Sequence, residues 1–300
     1  MKILFTFPGQ GAQYPGMLAA LPDAPTLASA REVLGDELAT LDTPGALQHT
    51  RAVQLAVLIA GVAWGRALEA RGVRPDLVSG LSIGAYPAAV IAGALAFEDA
   101  LRLVALRGDV MEHAYPHGYG LTALSGLTLS QVEALVAQHD VYIANINADT
   151  QIVIAGSDQA MADAGRAALE AGATRAQRLA VSVPSHCALL DAPARQLAEA
   201  FRHVTLQRPR CGLLSGSTAR VLWQPERIAD DLAHNMARTV QWQEAMVAAR
   251  ERDARLAIEM PPGQVLTSLT RQSGWQGECV ALEQIGLEGA CQLAARLRRG

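Results

Sequence analysis

Lysine is nearly missing from this sequence: Lys2 stands alone among 25 lysine and arginine residues. Chemistry that needs an interior lysine amine, such as a Schiff base or the phosphate clamp of a P-loop, is thereby excluded. Cysteine is scarce too. Cys187, Cys211, Cys279 and Cys291 form no C-x-x-C pair and share no metal-ligand spacing with any of the 7 histidines. That argues against a zinc site and a disulfide framework, and predicts reduced thiols in a cytoplasmic protein. The chain has no basic run and a formal net charge of -4, a poor match to a nucleic-acid partner. The longest apolar stretches, such as 88–97, read as too short to span a bilayer, and the chain opens on strand-like Ile3-Leu4-Phe5 without a charged leader. The expectation is therefore neither export nor a membrane partner. Internal repeats and low-complexity linkers are also lacking.

What remains is an ordinary globular composition, with 50% hydrophobic and 18% charged residues over 300 positions. A chain of this mass folds to an accessible surface of about 12,000 Å², against about 46,000 Å² when extended, so a large core is available. Ile3 to Phe7 read as a short buried strand running into the loop Pro8-Gly9-Gln10-Gly11. A continuous apolar pattern over 53–70 predicts a buried helix, stopped by Gly72-Val73-Arg74-Pro75 before a strand over 76–81. A sharp turn over 80–84 follows, then an alanine-rich helix from Ala85 with Pro87 in its first turn, and a further helix opened by Glu98-Asp99.

Between 118 and 181 the rhythm changes. Strands over 121–127 and 175–181, two strands flanking Asn147-Ala148-Asp149, a helix opened by a capping box Ser130-x-x-Glu133 and a helix over 158–171 give the order β-α-β-β-α-β. This is the ferredoxin-like arrangement. The fold class expected is α/β: a hydrolase-like parallel-sheet core, residues 1–117 and 182–300, with a ferredoxin-like subdomain, 118–181, inserted into it.

Gly80-Leu81-Ser82-Ile83-Gly84 matches G-x-S-x-G. Following a strand and opening a helix, it would place Ser82 on a strained turn with its hydroxyl exposed beside helix-start N–H groups, the geometry of a nucleophile elbow. The bland reading is a glycine-flanked turn in which Ser82 only caps the helix. A serine nucleophile needs a base. His186, in Val183-Pro184-Ser185-His186-Cys187, is the best placed because it lies at a strand-to-loop junction, although the residues alone leave His113, His117, His139 and His234 open. On the helix after Glu98, Ala100, Leu103, Val104, Arg107, Met111 and Ala114 form an apolar stripe interrupted by one guanidinium. A buried guanidinium must meet an anion, either a protein carboxylate in a structural pair or a ligand carboxylate, and the proximity of Arg107 to the elbow favours the ligand.

Taken in order, Phe7-Pro8-Gly9-Gln10-Gly11-Ala12-Gln13, the 80–84 elbow, Leu106-Arg107-Gly108, the stretch from Val181 through Ser185-His186-Cys187 to Leu189, and Pro262-Gly263-Gln264-Val265-Leu266 resemble the malonyl-CoA:acyl carrier protein transacylase family over nearly the whole chain. The resemblance implies that Ser82 is the acylated nucleophile, His186 its base in a Ser-His dyad, and Arg107 the clamp on the malonyl carboxylate. It further implies that Gln10 and the Ile83 N–H form the oxyanion hole, and that a main-chain carbonyl, at the position matching Asn235, orients the base. Leu81, Met111 and Ser185, which neighbour these groups in the motifs, are read as lining the acyl site. Leu81 and Ala85 stand where the fatty-acid enzymes commonly have histidine and glutamate, and Gly-Leu-Ser-Ile-Gly-Ala-Tyr resembles the epsilon subunit of malonate decarboxylase, a branch of the same family. That branch is the favoured expectation.

The activity implied is malonyl transfer from malonyl-CoA to a carrier-protein thiol, with no bound cofactor or metal. The carrier expected is the decarboxylase's own subunit, bearing a dephospho-CoA-derived arm; the competing readings are the transacylase of fatty-acid synthesis, a serine hydrolase of acyl thioesters and a non-enzymatic binding module. Arg166, Arg175, Arg178 and Arg296-Leu297-Arg298-Arg299 are read as solvated surface rather than a carrier-docking site.

Overall fold

The computed structural model describes residues 1–299, which fold to an accessible surface of 12473 Å². The strands, in chain order, are β1 (Lys2–Phe7), β2 (Leu77–Gly80), β3 (Tyr119–Ser125), β4 (Val141–Ala148), β5 (Gln151–Ser157), β6 (Arg175–Arg178), β7 (Gly212–Leu214), β8 (Val221–Leu222), β9 (Ala254–Glu259) and β10 (Glu278–Ala281). They make two sheets. One has six strands in the order β10-β9-β1-β2-β7-β8 and the other has four in the order β4-β5-β3-β6. The α/β class expected from sequence is the one observed.

The larger sheet is parallel from β10 through β7, and only the short edge strand β8 runs antiparallel. Side-chain alternation along its strands feeds two cores. Ile3, Phe5, Phe7, Val78, Leu213, Leu256 and Ile258 point into the larger core, beneath the helices Thr50–Ala70, Ala85–Ile91 and Phe97–Ala114. Leu4, Leu77, Leu214 and Ala257 point the other way, against Trp242, Met246 and Leu266. The helix Thr50–Ala70 is long and apolar enough to cross a membrane by length and composition, a point the shorter 88–97 stretch did not reveal. Most of that helix is buried within the fold, as the core element beside Phe97–Ala114.

The smaller sheet is antiparallel, with helices Leu129–Val136 and Asp158–Glu170 over a separate core of Leu124, Val132, Ile152, Ile154 and Met161. Its strand order is that of a ferredoxin-like unit. The capping box lies two residues earlier than the sequence spacing predicts: Thr128 and Gln131, not Ser130 and Glu133, exchange the reciprocal bonds. Both pairs fit S/T-x-x-E/Q, and the turn before the helix chooses between them. The strand over 175–181 is also shorter, ending at Arg178.

The two sheets are joined through the segment that follows helix Pro225–His234. Val240 donates its N–H to Ala144 O at 2.9 Å and accepts from Ile146 N at 2.8 Å, while Thr239 Oγ1 donates to Ile143 O at 3.0 Å. The segment before helix Trp242–Glu251 is thus stitched to β4 of the small sheet. At the far end of β9, Glu259 accepts from Leu266 N at 2.9 Å and Thr267 N at 2.6 Å, capping helix Val265–Gln272. The Pro262 to Leu266 motif is the turn into that cap.

Candidate active site

The elbow forms where β2 ends. Leu81 N–H donates to Phe7 O at 3.0 Å, tying the turn to the end of β1. Neither flanking glycine could carry a side chain: a Cβ on Gly80 would lie 1.9 Å from the carbonyl carbon of Gly84, and one on Gly84 would lie 2.1 Å from Phe7 O. Between them Ser82 is held at φ 57°, in the left-handed region. A side chain kept there costs on the order of 1 to 3 kcal/mol, and the surrounding packing must impose it. The motif is therefore a strained turn, and the bland capping reading fails: the N-cap positions are Leu81 and Gly84, and the Ser82 hydroxyl accepts from Arg107 Nη2 instead.

His186 has the same feature, with φ 67°. Its N–H donates to Met236 O at 2.6 Å, and its Nδ1 lies 2.8 Å from Asn235 O. A carbonyl can only accept, so Nδ1 carries the proton and Nε2 is left as the basic nitrogen. Burial, reinforced by the nearby Arg107 charge, lowers the imidazole pKa to about 4. The ring is therefore neutral, and able to take a proton, throughout the neutral range. Ser82 and His186 border one small cavity with Asn235, Ser217 and Asp231, and no direct Ser82–His186 hydrogen bond is formed among the described residues. Of the other candidate histidines, His113 Nδ1 turns to Asp109 O and His234 Nδ1 to Asp230 O, while His117 is exposed and His139 half-buried, neither of them lining the Ser82 cavity.

Arg107 lies on helix Phe97–Ala114, one turn from Met111, and is fully buried. The stripe it interrupts is buried from Ala100 to Met111 but ends there, Ala114 being exposed. No carboxylate pairs with the guanidinium among the described residues. Its Nη2 donates to Ser82 Oγ and to Asn235 Oδ1, each at 3.1 Å, while Nε and Nη1 have no partner. The Tyr86 ring lies 5.8 Å below the guanidinium carbon, the reach of a cation–π contact. Burial lowers the Arg107 pKa to about 10, which still leaves it charged at neutral pH.

Asn235 is the junction. Its carbonyl holds His186, its Nδ2 donates to Ser82 O at 3.2 Å, and its Oδ1 accepts from Arg107. Gln10 follows the end of β1 on the loop that packs against the elbow, where Gly9 meets Leu81; its Oε1 accepts from Gln54 Nε2 at 3.2 Å. Gln54 also reaches Met111 Sδ at 3.4 Å and keeps a buried, unpartnered Oε1. The sequence reading passed over Gln54, although one amide inside the run Ala52-Val53-Gln54-Leu55-Ala56-Val57 was a visible signal. Leu81 is half-buried; Ile83, Ser185 and Met111 are buried. No group of metal-ligating side chains occurs among the described residues.

Chemically, the arrangement offers a hydroxyl on a strained turn, a neutral imidazole of fixed tautomer, and a buried cation with free donors at the same hydroxyl. It can accept an acyl group and hold a nearby anion. The acyl transferase domain family matches residues 4–286, and the chain is an acyltransferase of that class. It is 36% identical over 285 residues to the malonyl CoA-acyl carrier protein transacylase of Escherichia coli K12, spanning 90% of this chain and 92% of that one. An acyl carrier protein S-malonyltransferase from Vibrio cholerae superposes with a TM-score of 0.87 at 36% identity, covering 94% and 96% of the two chains. A malonyl-transacylase solved in complex with a type II polyketide acyl carrier protein gives 0.91 at 34% identity, covering 98% and 100%. The chain belongs to the malonyl CoA-acyl carrier protein transacylase family.

Proposed function

We propose that this protein moves a malonyl group from malonyl-CoA to the prosthetic-group thiol of an acyl carrier protein, through a malonyl ester on Ser82. The observation that carries the reading is the buried Arg107, with two unpartnered nitrogens and a third bonded to the Ser82 hydroxyl. An acyl group on Ser82 that ends in a carboxylate supplies the missing anion, and the fork of the guanidinium can take it bidentately.

His186 Nε2 removes the Ser82 proton as Oγ attacks the thioester carbonyl. The tetrahedral oxyanion is met by Gln10 and the Ile83 N–H, the C–S bond breaks, and the proton on His186 passes to the departing CoA sulfur. The carrier thiol then enters, gives its proton to His186 and attacks the serine ester. The second oxyanion collapses, Ser82 recovers its proton and malonyl-carrier leaves. Each oxyanion donor is worth about 10²- to 10³-fold in rate. The Asn235 carbonyl takes the place that a buried aspartate holds in hydrolase triads, orienting the imidazole without adding a full charge.

The 36% identical relative bears the transacylase name, and this supports the carrier protein of fatty-acid synthesis as the acceptor in preference to the decarboxylase subunit first expected. The pattern that suggested the decarboxylase lies at Leu81, Ala85 and Tyr86; Ala85 borders the catalytic cavity and Tyr86 lies beneath Arg107. The test is to charge the protein with malonyl-CoA, locate the label by mass spectrometry, and offer carriers bearing either arm. Labelling at Ser82 and discharge to the fatty-acid carrier are expected. Release of free malonate to water would establish a hydrolase instead, and discharge only to a dephospho-CoA-type arm would restore the decarboxylase branch.

A further inference from the structure

Asp231 is a buried carboxylate that the mechanism above leaves unused. It lies in the last turn of helix Pro225–His234 and borders the same cavity as Ser82, His186 and Asn235. Both burial and a helix C-terminus disfavour a negative charge, so this is a costly place for an acid if only packing were at stake. Its bonds run in two directions. Its Oδ1 accepts from Ser215 Oγ at 2.7 Å, and Ser215 Oγ in turn accepts from Ser217 N and Thr218 N, each at 3.1 Å, at the turn between β7 and β8. Its main-chain oxygen accepts from the N–H of Asn235. Asp231 therefore ties the β7–β8 turn to the end of the helix from which Asn235 reaches His186, Ser82 and Arg107.

We infer that Asp231 is a positioning residue for acyl transfer: through Ser215 its carboxylate fixes the end of helix Pro225–His234, and so the Asn235 groups that orient His186, Ser82 and Arg107. The inference rests on the reading of Ser82 as the acylated serine. An ionised acceptor holds the Ser215 hydroxyl more firmly than a neutral one, and displacement of a catalytic group by about 1 Å can cost about 10²-fold in rate. The charged and titratable groups facing Asp231 are Arg238 and Asp230 from the same end of the helix, Tyr86 from helix Ala85–Ile91, and His186 across the cavity. Burial outweighs the hydroxyl and arginine contacts and raises the carboxyl pKa to about 6, apart from the value near 4 for His186. Because the folded pKa lies above the unfolded one, ionised Asp231 lowers stability as pH rises above the carboxylate range. Its charge is thus kept at the expense of stability.

The test is single-turnover labelling of Ser82 by malonyl-CoA between about pH 5 and pH 8, with thermal unfolding measured alongside. The wild-type rate should rise with pH through an inflection near 6, as Asp231 ionises. Asp231→Asn should lack that inflection, label about 10- to 100-fold more slowly at the upper end, and unfold no earlier than wild type. Ser215→Ala, which removes a bond that lowers the Asp231 pKa, should move the inflection to higher pH; it carries the test if the asparagine variant does not fold. A wild-type rate and profile in Asp231→Asn, or an unmoved inflection in Ser215→Ala, overturns the inference and leaves the Ser82 assignment standing. A wild-type protein that never labels at Ser82 overturns the functional reading itself.

Discussion

Two arginines, one in each part of the molecule, differ in how far the chain itself satisfies them. Arg178, on β6 at the edge of the small sheet, donates to the carbonyls of Tyr119, Leu121, Leu179 and Val181 and to Asp158, at distances from 2.7 to 3.0 Å. Both of its Nη groups are engaged by the chain although the side chain is exposed, and it braces the start of β3. Arg107 is buried where Arg178 is exposed, and yet half satisfied, with Nε and Nη1 empty-handed and Nη2 shared between a serine hydroxyl and an amide. An unpaired buried cation costs several kcal/mol. The proposed acyl carboxylate would complete it and account for its retention beside a strained serine.

The comparison is tested most forcefully by removing what surrounds Arg107. Ser82→Ala should abolish the malonyl-enzyme and slow transfer on the order of 10⁴-fold or more; persistent labelling of that variant would take Ser82 out of the role. His186→Ala should cost about 10²- to 10⁴-fold. In the intact protein, protonation of His186 should stop labelling only as pH falls through about 4. The folded pKa lies below the unfolded value of about 6.5, so stability should also decline as pH drops across that window; a base inflection near 6.5 that survives in Asp231→Asn would contradict the burial argument. Asn235→Ala removes the side-chain bonds to Arg107 and Ser82 but keeps the carbonyl that orients His186, and a loss of about 10-fold is expected in steady-state transfer. Arg178→Ala should be the mildest for chemistry. It should lower stability by about 1 to 3 kcal/mol in denaturant titration and leave the preference among acyl thioesters unchanged.

The elbow was legible in the sequence because everything that makes it is local: two glycines forced by close backbone approach, a strand before and a helix after. The Arg107 stripe was legible for the same reason, repeating within one helix, and the β-α-β-β-α-β rhythm because each of its elements carries its own local pattern. The choice among histidines was not. His186 is singled out by Asn235 O and Met236 O, about fifty positions downstream, and no local spacing predicts which carbonyl a distant loop will meet. Asp231 and Ser215 were hidden likewise, as two ordinary polar residues joined only when helix Pro225–His234 lies across the β7–β8 turn. Arg178 is exposed, as the sequence reading has it; its bracing bonds were hidden because they run to carbonyls at the start of β3, far upstream, and to the chain leaving β6.

The central claim is that Arg107 waits for a carboxylate on the acyl group. The most direct measurement is the ratio of kcat/KM for malonyl-CoA to that for acetyl-CoA in the wild type and in Arg107→Ala. Loss of about 10²-fold or more on malonyl with little change on acetyl, collapsing the ratio, is the result expected from truncating one half of a buried charge pair. Equal loss on both thioesters, with the ratio intact, would make Arg107 a structural residue like Arg178 and contradict the account.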